Sequence, residues 1–396
     1  MPMRPCRAEI STRALEENYR FLARVAAPHA ELLAVVKANA YGHSLALCAP
    51  ALASAGARWL GVTTVEEGIA ARALCPDARV VIMAGIAPGQ ARAAIDLELT
   101  PIAWEPWQLD ELEAAARAAG APAGSVPIHL EIDTGMSRQG VGPRELAGFF
   151  TRFGPASPLR LEGVMTHLFA ADEAGGQQTQ AQLASLDEAL GRISGAGLFA
   201  EWLNVGNSAA LLAGHAQQTA QLAARHGMKA LMRPGLALYG VVPRFDPGFA
   251  PQPEPPALAA AREALQPVLA WKASVLGVRS VPAGATVGYN ATFVATEPMR
   301  LALVCAGYAD GLDRLLGNRF SLLVRGQRAP LVGRVSMDQS VIDVTEIAGV
   351  EAGDGVVILG AQGSETITAY DHADAAGTIP WEVFTRIGAR VARIAV

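Results

Sequence analysis

Leu32-Leu33-Ala34-Val35-Val36-Lys37-Ala38-Asn39-Ala40-Tyr41-Gly42-His43 carries an unbroken apolar run into a lysine. A short continuous run of this kind, rich in Val and Leu, reads as a strand buried on both faces. Lys37 then stands at the strand's end with no helical face to occupy. Burying an ammonium without a partner is strongly unfavourable. Such a lysine is paired, neutralised by a lowered pKa, or consumed in a covalent bond such as a Schiff base with an aldehyde; otherwise it snorkels to water.

Seven more runs of the same texture follow: WLGVTT, ARVVIMAG, LTPIAW, VPIHLEID, LRLEGVMTH, AEWLNVGN and MKALMRPG. Alanine-rich segments of helical character separate them, among them Glu66 to Leu74, Leu109 to Ala119 and Gln178 to Ile193, and a first helix is expected from Ser11 to about Val25. Eight apolar strands alternating with helices predict a parallel sheet closed into a (β/α)8 TIM barrel. Sites in such barrels lie at the carboxyl ends of the strands, where Lys37, Asp133, His167, Asn207 and Arg233 all fall. A doubly wound sheet is the alternative, but no Gly-x-Gly-x-x-Gly follows the first strand.

Beyond Tyr239-Gly240 the texture changes. Pro243, Pro247, Pro251, Pro253, Pro255 and Pro256 crowd into a segment expected to be extended and exposed, and the domain boundary is placed there. From about Val268 short strands with turn signals (ASVLGVRSV, MRLALVCAGYA, RFSLLVRG, SVIDVTEI, GDGVVILG) predict a mostly β C-terminal domain. Ile367 to Gly388 reads as helical, before a closing strand from Val391 to Val396. The expected division is residues 1–10 as a strand packing with the C-terminal domain, 11–243 as the barrel and 244–396 as the β domain.

At 396 residues, 51% hydrophobic and 17% charged, the chain has enough apolar material for two cores. A net charge of -5 with no basic cluster gives no reason to expect nucleic acid or an anionic membrane. The N-terminus lacks the apolar core of a signal peptide and no later run reads as a membrane span, so a cytoplasmic location is expected. Cys6, Cys48, Cys75 and Cys305 are scattered, and no His-Glu-x-x-His occurs, so neither a disulfide framework nor a metal site is expected.

The run Val36-Lys37-Ala38-Asn39-Ala40-Tyr41-Gly42-His43 closely resembles the pyridoxal-phosphate lysine motif of the alanine racemase family. The resemblance extends in order along nearly the whole chain, from Arg7-Ala8-Glu9-Ile10 to Arg390-Val391. It implies that Lys37 carries pyridoxal 5'-phosphate and that Tyr41 donates to its phosphate. Asn207 and Ser208, and Gly235 and Leu236 of Arg233-Pro234-Gly235-Leu236, would supply further phosphate contacts, in keeping with barrel phosphate sites after strands seven and eight. Arg233 would face the pyridine nitrogen. A guanidinium stays protonated and only donates, so it keeps that nitrogen unprotonated and weakens the ring as an electron sink, which suits racemisation over transamination. His167 would lie against the ring or relay a hydrogen bond.

Glu131-Ile132-Asp133-Thr134-Gly135-Met136-Ser137-Arg138 resembles the family segment whose arginine contacts the cofactor phenolate oxygen and the substrate carboxylate, which assigns that role to Arg138. Many members carry a carbamylated lysine at the Glu131 position to hold that arginine; here a glutamate would do so through a short, bidentate bond. Racemisation needs two bases on opposite faces of the substrate Cα. Lys37 is one. Val287-Gly288-Tyr289-Asn290 resembles the segment bearing the other, Tyr289, while Tyr308, and Met337 and Asp338 of Ser336-Met337-Asp338-Gln339, resemble entrance and substrate-binding residues. The resemblance further implies a head-to-tail homodimer whose β domains complete the partner's barrel.

Two further departures bear on substrate range: Asn204 stands where many members have a histidine, and Ala389 where many have a gate-lining tyrosine. The expected activity is interconversion of L-alanine and D-alanine. Its competitors are a broad-specificity amino-acid racemase, a fold-related pyridoxal-phosphate decarboxylase, disfavoured by Arg233, and a non-catalytic cofactor carrier, disfavoured by Tyr289 and the β domain.

Overall fold

The computed structural model describes residues 4–173, 176–245 and 254–396. They fall into two units, one built from residues 13–40 and 48–266, the other from the first twelve residues together with 41–47 and 267–396. Pro247, Pro251 and Pro253 of the expected extended segment lie outside the described residues.

Strand β1 (Arg7–Ile10) belongs to the second unit. The first unit is a closed barrel of eight parallel strands: β2 (Ala30–Val35), β3 (Trp59–Val62), β4 (Arg79–Ile82), β5 (Thr100–Ala103), β6 (Val126–Glu131), β7 (Leu159–Met165), β8 (Trp202–Asn204) and β9 (Lys229–Met232). β9 returns to β2, with Ala30 opposite Ala230 and Leu32 opposite Met232. All eight apolar runs read from the sequence form these strands. β3 and β5 are buried throughout, as a strand covered on both faces must be.

The intervening helices are set by local chemistry. Val65–Leu74 begins at Thr64, whose hydroxyl accepts the Glu67 amide, and Pro106–Ala118 starts on a proline at a first-turn position. The last proline of the expected extended segment is helical instead: Pro256 opens the helix Pro256–Ala264, because its fixed φ and missing N–H suit a first helical position, and this helix counts with the barrel unit.

The second unit is built on a nine-stranded sheet. Its long strand β10 (Leu269–Val281) pairs antiparallel with β1, Met299–Val304 and Gly355–Gln362. β1 also pairs in parallel with Ala392–Ala395, and Glu9 holds Lys272 at 2.5 Å and Arg7 at 2.9 Å. The region read as helical contains two helices, Ala369–Ala376 and Pro380–Arg386. No helix among the described residues is long and apolar enough to cross a membrane.

Candidate active site

Lys37 follows β2 by two residues and opens a turn of left-handed helix: Ala38, Asn39 and Ala40 have φ of 52°, 54° and 56°. Each non-glycine residue in this conformation costs roughly 1–2 kcal/mol, and strain of this kind persists only where surrounding structure enforces it. Glu67 does the enforcing. One carboxylate oxygen accepts Ala38 N–H at 2.6 Å and Asn39 N–H at 3.4 Å, while the other accepts Thr63 N–H at 2.8 Å. The Lys37 amine itself is half-buried, and burial, reinforced by the positive charges of Arg138 and Arg233, lowers its pKa against the opposing pull of Glu67.

Arg233, directly after β9, is buried and held rigidly. Its Nη1 donates to the Asn204 carbonyl at 2.6 Å and to Asn204 Oδ1 at 2.7 Å, and its Nη2 donates to the Thr166 carbonyl at 3.0 Å. Nη2 also meets His167 Nδ1 at 3.3 Å. Because a guanidinium can only donate, Nδ1 is the acceptor and His167 is neutral there. Burial, with Arg233, Arg138 and Lys37 adding to it, drops the His167 pKa to about 3. Burial also draws Arg233 down, to about 10, which leaves it charged near neutrality.

Arg138 is exposed on a loop whose base is pinned: Asp133 Oδ1 accepts Gly135 N–H at 2.9 Å and Ser137 N–H at 3.1 Å, and Val141 N–H returns to the Glu131 carbonyl at 2.7 Å. The expected short bond from Glu131 to Arg138 is absent. Glu131 is 2% exposed and takes its bond from Gln139 Nε2, at 2.5 Å, which also reaches the Met83 carbonyl at 3.1 Å. Burial raises the Glu131 pKa, with the Gln139 bond and the more distant Arg233 and Arg138 pulling the other way. The reason for the difference is geometric: the short strand stem of Glu131 stays inside the barrel, while the loop carries Arg138 out to solvent.

Ser208 begins the helix Ser208–Leu212, which Asn207 caps through its side chain on Ala210 N–H at 3.0 Å. The Ser208 Oγ accepts Gly235 N–H at 3.0 Å and Ala237 N–H at 3.1 Å, so two backbone donors and a hydroxyl converge after β8 and β9. Leu236 lies between them, buried. Tyr41 is buried too, and burial raises its phenol pKa.

In the second unit Tyr289, Tyr308 and Met337 are large side chains left in solvent. Tyr308 N–H bonds the Ser336 carbonyl at 3.0 Å and Ala309 N–H the Met337 carbonyl at 2.9 Å. This crossing needs Gly307, since a Cβ there would lie 2.4 Å from both the Ser336 and the Met337 carbonyl oxygens. Arg390 braces the segment, binding Asp338 at 2.7 Å and the fully buried Asp310 at 2.8 Å.

The family model described as alanine racemase, N-terminal domain, matches residues 10–243, and that described as alanine racemase, C-terminal domain, matches residues 268–395. The chain belongs to the alanine racemase family. It is 37% identical to the alanine racemase of Symbiobacterium thermophilum, over 99% of this chain and 97% of that one. It is 36% identical to that of Syntrophobacter fumaroxidans, covering 96% and 94%. Among solved structures, the alanine racemase of D-cycloserine-producing Streptomyces lavendulae superposes with a TM-score of 0.86 at 37% identity, covering 99% of this chain and 97% of that one. That of Bartonella henselae, which holds covalently bound pyridoxal phosphate, gives 0.83 at 28% identity over 99% of each.

Pyridoxal phosphate is the cofactor of this family, and the residues present fit it. Three cationic side chains, Lys37, Arg138 and Arg233, lie close enough in the barrel unit for both arginines to depress the lysine, a field that suits an anionic ligand. The Gly235 and Ala237 amides fix Ser208 Oγ as their acceptor and leave its O–H as the donor a phosphate would take, at the start of the helix Ser208–Leu212. Three other contributors escape sequence reading. Glu67 sits in an ordinary helix first turn thirty positions from Lys37, and nothing local marks it. Gln139 differs from any loop glutamine only by its partner, Glu131. Asn204 stands out in the sequence solely as a departure from the family pattern, yet it is the principal clamp on Arg233. Among the described residues no group of three or more His, Cys, Asp or Glu side chains could hold a metal ion.

Proposed function

We propose that the chain is an alanine racemase that interconverts L-alanine and D-alanine with two bases, Lys37 and Tyr289. The observation that carries the reading is Lys37 itself: a half-buried amine on a strained turn, its pKa pushed down by burial and two arginines. A base must be unprotonated to work, and a nucleophilic amine likewise, so a lowered pKa enlarges the unprotonated fraction of Lys37 available for both tasks.

Pyridoxal phosphate, when bound, supplies an aldehyde for the amine and a ring that draws electrons from the Cα bonds of the amino acid. Lys37 would hold it covalently, Tyr41, Asn207, Ser208, Gly235 and Leu236 would surround its phosphate, and Arg233 and His167 its ring. Arg233, charged and donor-only, would donate a hydrogen bond to the ring nitrogen and keep it unprotonated, which weakens the ring as an electron sink and disfavours reprotonation at the wrong carbon. Arg138 would bind the alanine carboxylate beside the Met337 amide, with Tyr308 and Asp338 at the entrance. Lys37 then exchanges the Cα proton on the D face and Tyr289 on the L face.

Tyr289 would come from a second copy of the chain in a head-to-tail homodimer, with the barrel as the cofactor-holding domain and the β unit as the one that completes the partner's site. The exposure of Tyr289, Tyr308 and Met337 supports this, because large apolar side chains gathered on a surface favour burial against a partner. A cytoplasmic location and a supply of D-alanine for cell-wall peptidoglycan go with this reading. A broader substrate range is the second reading, favoured by the exposed Ala389, whose methyl leaves room that a tyrosine would fill.

Loss of optical rotation from L-alanine, measured with and without added pyridoxal phosphate beside a panel of larger amino acids, tests both. Racemisation of alanine alone supports the first reading, and comparable turnover of larger substrates the second; no racemisation by the cofactor-loaded protein overturns them. For the homodimer, mixing inactive Lys37→Ala and Tyr289→Ala subunits should restore activity by forming one intact composite site.

A further inference from the structure

The clamp on Arg233 continues into the barrel. Asn204 Oδ1 faces the guanidinium at 2.7 Å, which obliges its Nδ2 to face the other way, and there it meets His129 Nδ1 at 3.4 Å. A donor amide against Nδ1 makes that nitrogen the acceptor, so the proton of a neutral ring sits on Nε2. Nε2 in turn faces Glu162 Oε2 at 3.6 Å, an electrostatic contact beyond hydrogen-bond length, and neither atom has a hydrogen-bond partner. The other Glu162 oxygen takes Arg160 Nη2 at 2.8 Å and Arg79.

Each member is packed in place. Asn204, His129 and Glu162 are essentially inaccessible to solvent, Trp59 stands 6.2 Å from the His129 ring, and Arg79 lies over Trp59 at 3.9 Å. Gly163, beside Glu162, leaves the ring its space: a Cβ there would lie 2.6 Å from His129 Cε1. The row therefore runs along the barrel interior from the carboxyl ends of β8 and β9 to a groove at the opposite end lined by Arg79, Arg160 and Glu162.

We propose that Asn204, His129 and Glu162 form a one-way positioning relay in which every proton is dictated by Arg233, so that the carboxylate of Glu162, anchored by Arg79 and Arg160, fixes the orientation of Arg233 toward the cofactor ring. Asn204 is the joint of the relay. An amide cannot pass a proton as a histidine could, so Arg233 is oriented without any route for its charge to leak into the core. None of these residues touches the reacting atoms; they act through Arg233, and the proposal rests on the reading of Arg233 given above.

The test is the protonation of the His129 ring in holoenzyme with nitrogen-15-labelled histidines, read from side-chain nitrogen shifts. Assignment uses His129→Gln, or single replacements of the other histidines if that variant does not fold. The expected wild-type result is a proton on Nε2 alone; a proton on Nδ1 overturns the relay. Asn204→Asp keeps the shape but exchanges the donor for an acceptor, leaving the ring between two carboxylates, and it should become doubly protonated. The same variant should lose about 10- to 100-fold in kcat for alanine, with KM changed by less than about threefold, the signature of misorientation rather than weakened binding. A folded Asn204→Asp enzyme with wild-type kcat and an unchanged ring overturns the proposal. Because the wild-type ring is read without alanine, failure of the relay and failure of the racemase reading are separable: a chain that racemises nothing yet holds its proton on Nε2 unseats only the latter.

Discussion

The Glu67 carboxylate accepts the Ala38 backbone N–H at 2.6 Å, and through that bond a helix on the barrel wall holds the turn that follows Lys37 in left-handed geometry. Glu67→Gln keeps the shape but turns one acceptor into a donor facing either Ala38 or Thr63. Leaving one such donor unpaired costs about 1–3 kcal/mol. The urea-unfolding midpoint should fall accordingly, and pyridoxal phosphate should rebind the resolved apoenzyme more slowly. Unchanged stability and rebinding would show that the turn holds itself.

Lys37 should be the only lysine modified when the loaded enzyme is treated with borohydride. The protein as purified is expected to be yellow, the visible band should vanish on reduction, and peptide mapping should place the reduced cofactor on Lys37. Attachment to Lys229 or Lys272 would remove the basis of the assignment.

Tyr289→Phe should affect the two directions unequally. Loss of one general base lowers a rate by about 10² to 10⁴, and solvent deuterium should enter more slowly from L-alanine than from D-alanine, since Lys37 still serves the D face. Equal and small effects on both enantiomers would rule out Tyr289 as a base.

Glu131 bonds Gln139 and makes no ion pair with Arg138, so no direct bond from this position holds the arginine. Glu131→Gln should therefore change kcat/KM for alanine by less than about threefold, since an amide can still offer Gln139 an oxygen. Gln139→Leu strands a buried carboxyl and should lower stability by about 1–3 kcal/mol. A large loss of kcat/KM in Glu131→Gln, with stability intact, would restore a direct charge effect on Arg138.

Acid should destabilise the folded chain in two stages. Burial lowers His167 from 6.5 to about 3, so between those values the unfolded chain binds a proton that the folded one refuses. Burial alone would raise Glu162, but His129, Arg79 and Arg160 outweigh it and lower the carboxyl from 4.5 to about 2. Both folded values lie below the unfolded ones, so both contributions are present at neutral pH and fade as pH falls, His167 from about 6.5 downward and Glu162 from about 4.5 downward. The urea midpoint should drop between about pH 7 and pH 4, and His167→Gln should flatten the upper part of the curve. A midpoint independent of pH in that range would contradict the His167 shift.

The barrel was legible from the sequence because its information is local. A strand buried on both faces must be apolar without interruption, and each of the eight runs says so by itself, as Trp59–Val62 does. The strand-end rule then places Lys37, His167 and Arg233 at one end without any knowledge of distance. The order of the family motifs added the cofactor and the reaction class.

Pairing was not legible, because closing the barrel joins side chains far apart in the chain. Glu67 meets Ala38 only after β2 and β3 lie side by side. Glu131 and Arg138, seven positions apart, read as natural partners, yet strand direction buries one and the loop exposes the other. Asn204 reads as a missing histidine until the fold sets it between Arg233 and His129. Composition and periodicity determine which surfaces must be buried; which donor meets which acceptor inside them depends on the register and closure of the sheet, and only the tertiary structure decides that.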